Sequence, residues 1–392
     1  MQYDVKGEII HWDEKLFWLK IQRCPGLGVR SWFKFQSLNQ FELQELNPIS
    51  WRSLDLSMKT WTIFQSETLQ AQCLKELEWG YLHHIHIIHW RSDFYPRSLK
   101  QSQWAHPVLS FYSEQNLSEL DIQLKLKSIN EKLCFGIVGS RKSSTEAKIK
   151  LNNLFDWVKT QSPICIVSGL AKGMDTIAHQ FALDQGIETI ALIGEGFAPY
   201  LLRKSHWHSK LIIASQFAPQ MAASKSSFPL RNQVIAGISE GLLVVESQTR
   251  GGSLITAQMA LDDGKALWAH PGNWNSHLSQ GPLNLISLGA TAMWKSEQSL
   301  EYFQSFFPHF NWDLSISSMK QLEGPVTHHP ILQDLDRVTQ RVYFEIKNGI
   351  ESISELLGIL KIDGKTLIAA LSLLEVMDLI YSNIQNHWFV CN

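Results

Sequence analysis

The chain has 392 residues, with Lys+Arg 35 against Asp+Glu 37 for a formal net charge of -2, and 44% of it is hydrophobic. At roughly 150 residues per domain this length predicts two or three domains. Enough apolar residues are present for a sizeable core, which excludes whole-chain disorder, and the cancelled charge excludes a bulk polycation that coats nucleic acid. The 15 Trp, beside 19 Phe and 8 Tyr, admit carbohydrate binding, base stacking or core filling; core filling is favoured because indoles are normally buried.

Residues 1–15 lack the apolar stretch of a secretory signal. No apolar run approaches the ~18 residues of a membrane span. The five cysteines, Cys24, Cys73, Cys134, Cys165 and Cys391, form no CxxC pair, so neither a disulfide framework nor a zinc knuckle is expected. The expected location is the cytoplasm.

From residue 1 to about 80 the pattern is helical, with Leu16, Phe17, Leu19 and Ile21 at helical spacing. Pro25-Gly26-Leu27-Gly28-Val29-Arg30 resembles a helix-hairpin-helix turn, whose backbone amides can hold a phosphate or whose helices simply pack. Packing is favoured, because the first 131 residues carry 14 bases against 15 acids. His83, His84, His86 and His89 invite a metal, but alternation along a strand sends neighbours to opposite faces, and no metal is expected.

From about 130 to 300 short apolar runs alternate with helix-length segments. The runs are 134–138, 164–167, 189–193, 211–214, 242–245, 266–269 and 291–294. This alternation, with Gly or Ser closing the runs, predicts buried parallel strands in an α/β sheet. Residues 132–300 hold 15 bases and 11 acids, a local excess of +4. Beyond residue 330 the pattern predicts helices at 337–347, 353–360 and 365–377, then short strands at 380–381 and 388–390. That order is a winged helix. Its charge is -3, and Lys365 is the only base on the third helix, so a protein-binding module is preferred to a major-groove reader.

Several strand ends could carry chemistry. The turn Gly139-Ser140-Arg141-Lys142 follows the first run; it is either an anion site at a helix entrance or an ordinary turn with solvated bases. It is neither a GxGxxG fingerprint nor a P-loop, and no cofactor is expected. The second run ends in Ser168-Gly169-Leu170-Ala171-Lys172-Gly173-Met174-Asp175 before His179. Asp175 and His179 could face each other at i, i+4, but Asp175 is expected to cap the helix and His179 to pack. In Lys225-Ser226-Ser227-Phe228-Pro229-Leu230-Arg231-Asn232, Phe228 either staples a helix entrance or stacks on a base. Glu246 precedes the turn Arg250-Gly251-Gly252-Ser253, and His270-Pro271-Gly272 leads to Gly281 and Asn284. Ligands of open α/β sheets bind at such carboxyl ends.

Together these segments resemble the DNA-processing protein A family (DprA, also called Smf) over about 160 residues. The residues that carry the resemblance are Ile137-Val138-Gly139-Ser140-Arg141, Ser168 to Asp175 with Ala178-His179, and Phe228-Pro229 with Arg231-Asn232. They continue in Val244-Val245-Glu246, Gly252 to Ala257, Pro271-Gly272, Gly281, Asn284-Leu285-Ile286 and Gly289-Ala290, with Tyr95-Pro96 upstream.

The resemblance implies an α/β fold, an extended Rossmann-like core. It implies a non-enzymatic, dimeric single-stranded DNA-binding protein that helps load RecA during natural transformation. It places Gly139, Ser140, Arg141, Lys172, Lys204, Lys225, Phe228, Arg231 and Asn232 at the DNA, with Ser140 and Arg141 on phosphates and Phe228 on a base. The implied domains are helical at 1–80 (similar to sterile-alpha-motif-like domains), Rossmann-like at 81–310, a linker at 311–329 and a winged helix at 330–392. The sequence departs from the family pattern at Gly196-Phe197-Ala198-Pro199-Tyr200, Ser215-Gln216 and Arg231-Asn232-Gln233. The alternative is a nucleotide-processing hydrolase using Glu246 as acid/base, although the Pro-Gly-Gly-x-Gly-Thr run of such enzymes is absent.

Overall fold

A computed structural model of the chain describes residues 12–158, 163–203, 211–310, 312, 337–347, 350, 352–360, 362–377, 379–382 and 388–390. The chain divides into two compact units, Met1–Leu314 and Ser315–Asn392. The expected linker at 311–329 lies, apart from Trp312, outside the described residues.

The first unit is built on one nine-stranded sheet. Its strands are β1 (His86–His89), β2 (Val108–Tyr112), β3 (Leu133–Val138), β4 (Ile164–Gly169), β5 (Glu188–Leu192), β6 (Ile212–Ser215), β7 (Gly241–Val244), β8 (Ala266–Ala269) and β9 (Thr291–Ala292). Their order is β1-β2-β6-β5-β4-β3-β7-β8-β9. From β6 to β9 every pairing is parallel, as the apolar runs predict, while β1 and β2 add antiparallel to the β6 edge. The series of expected runs omits β2, although every residue of that strand is buried.

Burial on both faces explains the apolar runs. All six residues of β3 and of β4 are buried, and β3 pairs with β4 on one side and β7 on the other. Strand order therefore reverses at β3. In open α/β sheets the crevice beyond the carboxyl ends at such a reversal is where ligands bind.

Ahead of the sheet lie helices Trp12–Arg23, Pro48–Ser53, Met58–Phe64 and Glu67–Leu82, with shorter turns between. After the Gly26-containing turn (φ +91°), the expected second hairpin helix is a single turn, Val29–Trp32, continued as a 3-10 turn Phe33–Phe35. Trp18, Trp32, Phe35 and Trp51 fill the core of this region, largely in edge-to-face contacts. Trp51 Nε1 donates to Ser57 O and Thr60 Oγ1, both at 3.1 Å, which satisfies its polar atom inside the core. Arg23 holds Glu76 bidentately at 2.9 and 2.7 Å. Gln22 bonds Val108 N and Gln216 O, tying the first helix to the sheet edge.

The second unit contains helices Arg337–Lys347, Ile353–Leu360 and Gly364–Val376, then β10 (Ile380–Ser382) antiparallel to β11 (Trp388–Val390). Leu356, Leu367, Leu371 and Leu374 lie in its core. Asp363 caps the third helix by accepting Lys365 N and Thr366 N.

Candidate nucleic-acid interface

A cleft of about 600 Å³ opens beyond the carboxyl ends of β3 and β7. Seven of the nine expected DNA-contacting residues line it: Gly139, Ser140, Arg141, Lys225, Phe228, Arg231 and Asn232. Two helices begin at its wall. Ser227–Ile238 contributes Phe228, Arg231 and Asn232, and Gly252–Asp262 contributes Gly252, Ser253 and Thr256. Free N–H groups and the positive dipole end at such helix starts favour an anion.

The turn after β3 is fixed from below by Glu246. The Glu246 backbone carbonyl accepts Ser140 N at 2.6 Å. Its carboxylate, 1% exposed, accepts Ser144 N at 2.8 Å, Ser144 Oγ at 2.5 Å and Lys150 Nζ at 2.7 Å. Both ends of the turn are thus gripped by one residue, and Arg141 and Lys142 are exposed at its tip. Burial pushes the Glu246 carboxyl up, but the bonds from Lys150 and Ser144 outweigh it and hold the group below its ordinary value. Ser140 O accepts Met174 N at 3.0 Å and Ser140 Oγ accepts Lys142 N at 3.0 Å, leaving the Ser140 hydroxyl proton to be donated.

Arg141 lays its guanidinium over the Phe228 ring, 4.7 Å from the centroid. Phe228 is half-buried, and its edge comes close to Gly194, where a Cβ would lie 3.1 Å from the ring. The ring therefore meets solvent through a cation already stacked on it.

Arg231 is placed differently from its expected role. It is 5% exposed and pairs with buried Asp175 at 3.6 Å. Burial pushes the Asp175 carboxyl up, and the charge on Arg231 opposes that shift. The guanidinium crosses the place where a side chain at Gly169 would stand, since a Cβ there would lie 1.6 Å from Nη1. Arg231 forms the floor of the cleft. Asp175 does not act as the helix N-cap; Gly173 holds that position at φ +90°, a backbone region that glycine adopts without strain. His179 is fully buried, with Nδ1 2.7 Å from Thr189 Oγ1 and Nε2 2.5 Å from Gly169 O. Burial lowers its pKa to about 4. The i, i+4 dyad is not formed by these contacts: Asp175 turns to Arg231, and His179 braces β4 against β5.

Lys172 is exposed and lines an adjoining cleft that shares Arg141, Phe228 and Arg231 with the first. Lys204 lies outside the described residues. Among the described residues, Arg141, Lys142, Lys172 and Lys225 have no carboxylate at ion-pairing distance. Lys142 and the helix start at Gly252 join the expected set in the cleft. Lys142 belongs to the Gly139–Lys142 turn already read as a possible anion site, and the Gly-Gly-Ser turn was the signal for the helix start.

The upstream residues find plain roles. Tyr95 is buried, and its hydroxyl donates to His106 O at 2.9 Å and accepts His106 N at 3.1 Å. His83 Nδ1 lies 2.8 Å from Trp79 O, and His86 Nε2 lies 2.8 Å from Leu117 O. Among the described residues no group of His, Cys, Asp or Glu is placed to hold a metal, and no helix is long and apolar enough to cross a membrane. Trp268 fills the core, in line with the favoured reading of the tryptophans, whereas Trp274 and Trp294 are 75% and 48% exposed. They stand after β8 and β9 on connections the sheet does not cover.

A largely parallel sheet whose order reverses beneath a cleft lined by Arg141, Lys142 and Lys225 places the chain among Rossmann-like α/β proteins. The chain belongs to the DNA recombination-mediator protein A family, whose profile matches residues 86–304. It is 30% identical over 275 residues to DNA processing protein DprA of Bacillus subtilis, covering 64% of this chain and 90% of that one. It is 35% identical over 217 residues to DNA processing protein DprA of Streptococcus pneumoniae, covering 54% and 72%. The crystal structure of DNA processing protein A from Streptococcus pneumoniae superposes with a TM-score of 0.59 at 27% identity, covering 74% of this chain and 96% of that one.

Proposed function

We propose that the cleft binds single-stranded DNA and that the chain acts as a non-enzymatic recombination mediator. The observation that carries this is the gathering of Arg141, Lys142 and Lys225, all exposed and, among the described residues, without carboxylate partners, around the half-buried Phe228. Unpaired cations attract phosphates, and an aromatic ring in their midst accepts an unstacked base, which a duplex does not offer. Ser140, Arg141, Lys172 and Lys225 take phosphates; Lys204 belongs to the same proposed track. Arg231 and Asn232 shape the floor. The base stacks on the Arg141–Phe228 layer.

Partners of this activity are single-stranded DNA, RecA, which the protein helps load onto incoming DNA in natural transformation, and a second copy of the chain. Leu261, Leu288 and Trp294, exposed on the elements flanking β8 and β9, support a homodimer. The winged-helix unit binds protein rather than DNA: Ile359, Ile368 and Leu373 are exposed on its helices beside Glu355 and Glu375. The helical segment at 1–80, core at 81–310 and winged helix at 330–392 divide these tasks.

Hydrolysis through Glu246 is disfavoured, because its carboxylate is buried, bonded three times and held ionised, whereas a general acid needs a raised pKa and access to substrate. The test is a fluorescence-anisotropy titration with single- and double-stranded oligonucleotides at two salt concentrations. Tighter, salt-sensitive binding of the single strand is expected; equal affinity for both, or none, overturns the proposal.

A further inference from the structure

Beside the switch-point cleft lies a second one of about 390 Å³, between the ends of β4 and β5 and the helix Phe197–Leu202. Arg141, Phe228 and Arg231 are common to both, so the Arg141–Phe228 stack is a partition with a cavity on each side. A volume of this size falls within the range of pockets that hold one small ligand.

Its chemistry differs from that of the first. Glu195, 5% exposed, lines it, and both its carboxylate oxygens are held by the Arg203 guanidinium, Nη1 to Oε2 at 2.7 Å and Nη2 to Oε1. Arg203 in turn lies 5.8 Å from the Tyr200 ring centroid. A carboxylate is acceptor-only: it repels a phosphodiester and accepts hydrogen bonds from N–H groups. The paired Arg203 fixes its orientation and leaves further lone pairs on the oxygens for a ligand. Tyr200, Leu192 and Ile193 supply apolar wall, and Lys172 stands among the lining residues as an exposed cation.

We propose that this second cleft is a nucleobase subsite in which Glu195, oriented by Arg203, accepts a hydrogen bond from the exocyclic amino group of a base. The proposal rests on the single-strand binding set out above and deepens it. A strand crossing the Arg141–Phe228 partition places its phosphates on the cations and one base beside Glu195. Cytosine, adenine and guanine carry an exocyclic amino group, whereas thymine presents carbonyl oxygens and one ring N–H. A carboxylate accepting from cytosine N4 is the established pairing of that type.

The experiment measures the affinity of the full chain for oligo(dC) and oligo(dT) of equal length, in wild type, Glu195→Gln and Arg203→Gln. The readout is the ratio of the two affinities, which a general loss of fold or charge does not change. Glutamine can donate as well as accept, so Glu195→Gln is expected to reduce the dC-over-dT ratio about tenfold. Arg203→Gln replaces an exposed side chain but removes the group that orients the carboxylate, so the dC-over-dT ratio is expected to fall in the same direction while the affinity for oligo(dT) changes little. An unchanged ratio in Glu195→Gln overturns the inference, as does an unchanged ratio in Arg203→Gln; the second variant decides alone if the first does not fold. Wild type that binds neither oligonucleotide defeats the single-strand proposal itself. Wild type that binds both with the ratio of Glu195→Gln defeats only the subsite.

Discussion

The switch-point cleft and the C-terminal winged-helix unit are both places where folds of their kind meet nucleic acid, yet their surfaces are opposite. The cleft gathers Arg141, Lys142 and Lys225, which among the described residues have no carboxylate partners, around an aromatic ring. The third helix of the winged unit exposes Ile368, Leu373 and Glu375, and its base Lys365 sits in the first turn, beside the cap Asp363. A fold offers a position, and the charge at that position decides what can occupy it.

That contrast is most strongly tested by removing the cleft's charge. Arg141→Ala with Lys225→Ala is expected to weaken single-strand binding about a hundredfold or more, since two phosphate contacts and the stacked cation disappear together. The slope of log affinity against log salt should fall by about 1.4, at ~0.7 for each lost contact. Anisotropy titrations at several salt concentrations measure both; an unchanged slope would remove the cleft from the DNA path.

Acid is expected to loosen the scaffold under the cleft. His179 has its folded pKa lowered to about 4 from an ordinary 6.5, so the unfolded chain binds the proton first. Its contribution is complete above pH 6.5 and is lost as pH falls towards 4, an effect on the order of 3 kcal/mol. Denaturant midpoints across that window should decline, and His179→Gln should flatten the decline. Glu246 is shifted in the opposite chemical sense, a carboxylate held ionised; its stabilising effect is present above the ordinary carboxylate value and disappears below it.

A smaller effect is expected from Glu246→Gln. One amide cannot replace a carboxylate that accepts from Ser144 N, Ser144 Oγ and Lys150, so the Ser140–Ser144 turn should loosen and affinity fall severalfold. Because the residue acts through Arg141, the loss should be non-additive with Arg141→Ala in a double-mutant cycle. Additive losses would mean that Glu246 contributes by a separate route.

The smallest effect belongs to the other side of the comparison. Lys365→Ala in the winged unit should change single-strand affinity by less than about twofold. A tenfold loss in the same titration would place DNA on that helix and reverse the contrast.

Much of the sheet was legible in the sequence, because a strand buried on both faces must be apolar throughout. Each expected run from 134–138 to 291–294 overlaps a strand. The β2 strand is not among the expected runs: Val108–Tyr112 carries Ser110 in its middle and joins the sheet antiparallel at the β6 edge, ahead of the parallel strands that make the alternating pattern. The loops at the strand ends were legible from Gly, Lys and Arg following apolar runs. What those residues do there was not. Arg141, Lys225 and Arg231 are alike as letters, and burial alone separates an exposed cation from one locked on Asp175.

By itself the sequence determined the α/β class, the family resemblance and the uneven division of charge along the chain, because each depends on composition and order. The tertiary structure decided which residues share a cleft. Strand order reverses at β3, bringing Ser140, Phe228 and Ser253 to one opening from three separate segments. It also decided that Glu246 holds a turn in place, that Glu195 faces a second cavity, and that Trp274 stands in solvent while Trp268 is core. Proximity and burial are properties of the packed chain, and spacing along the sequence does not contain them.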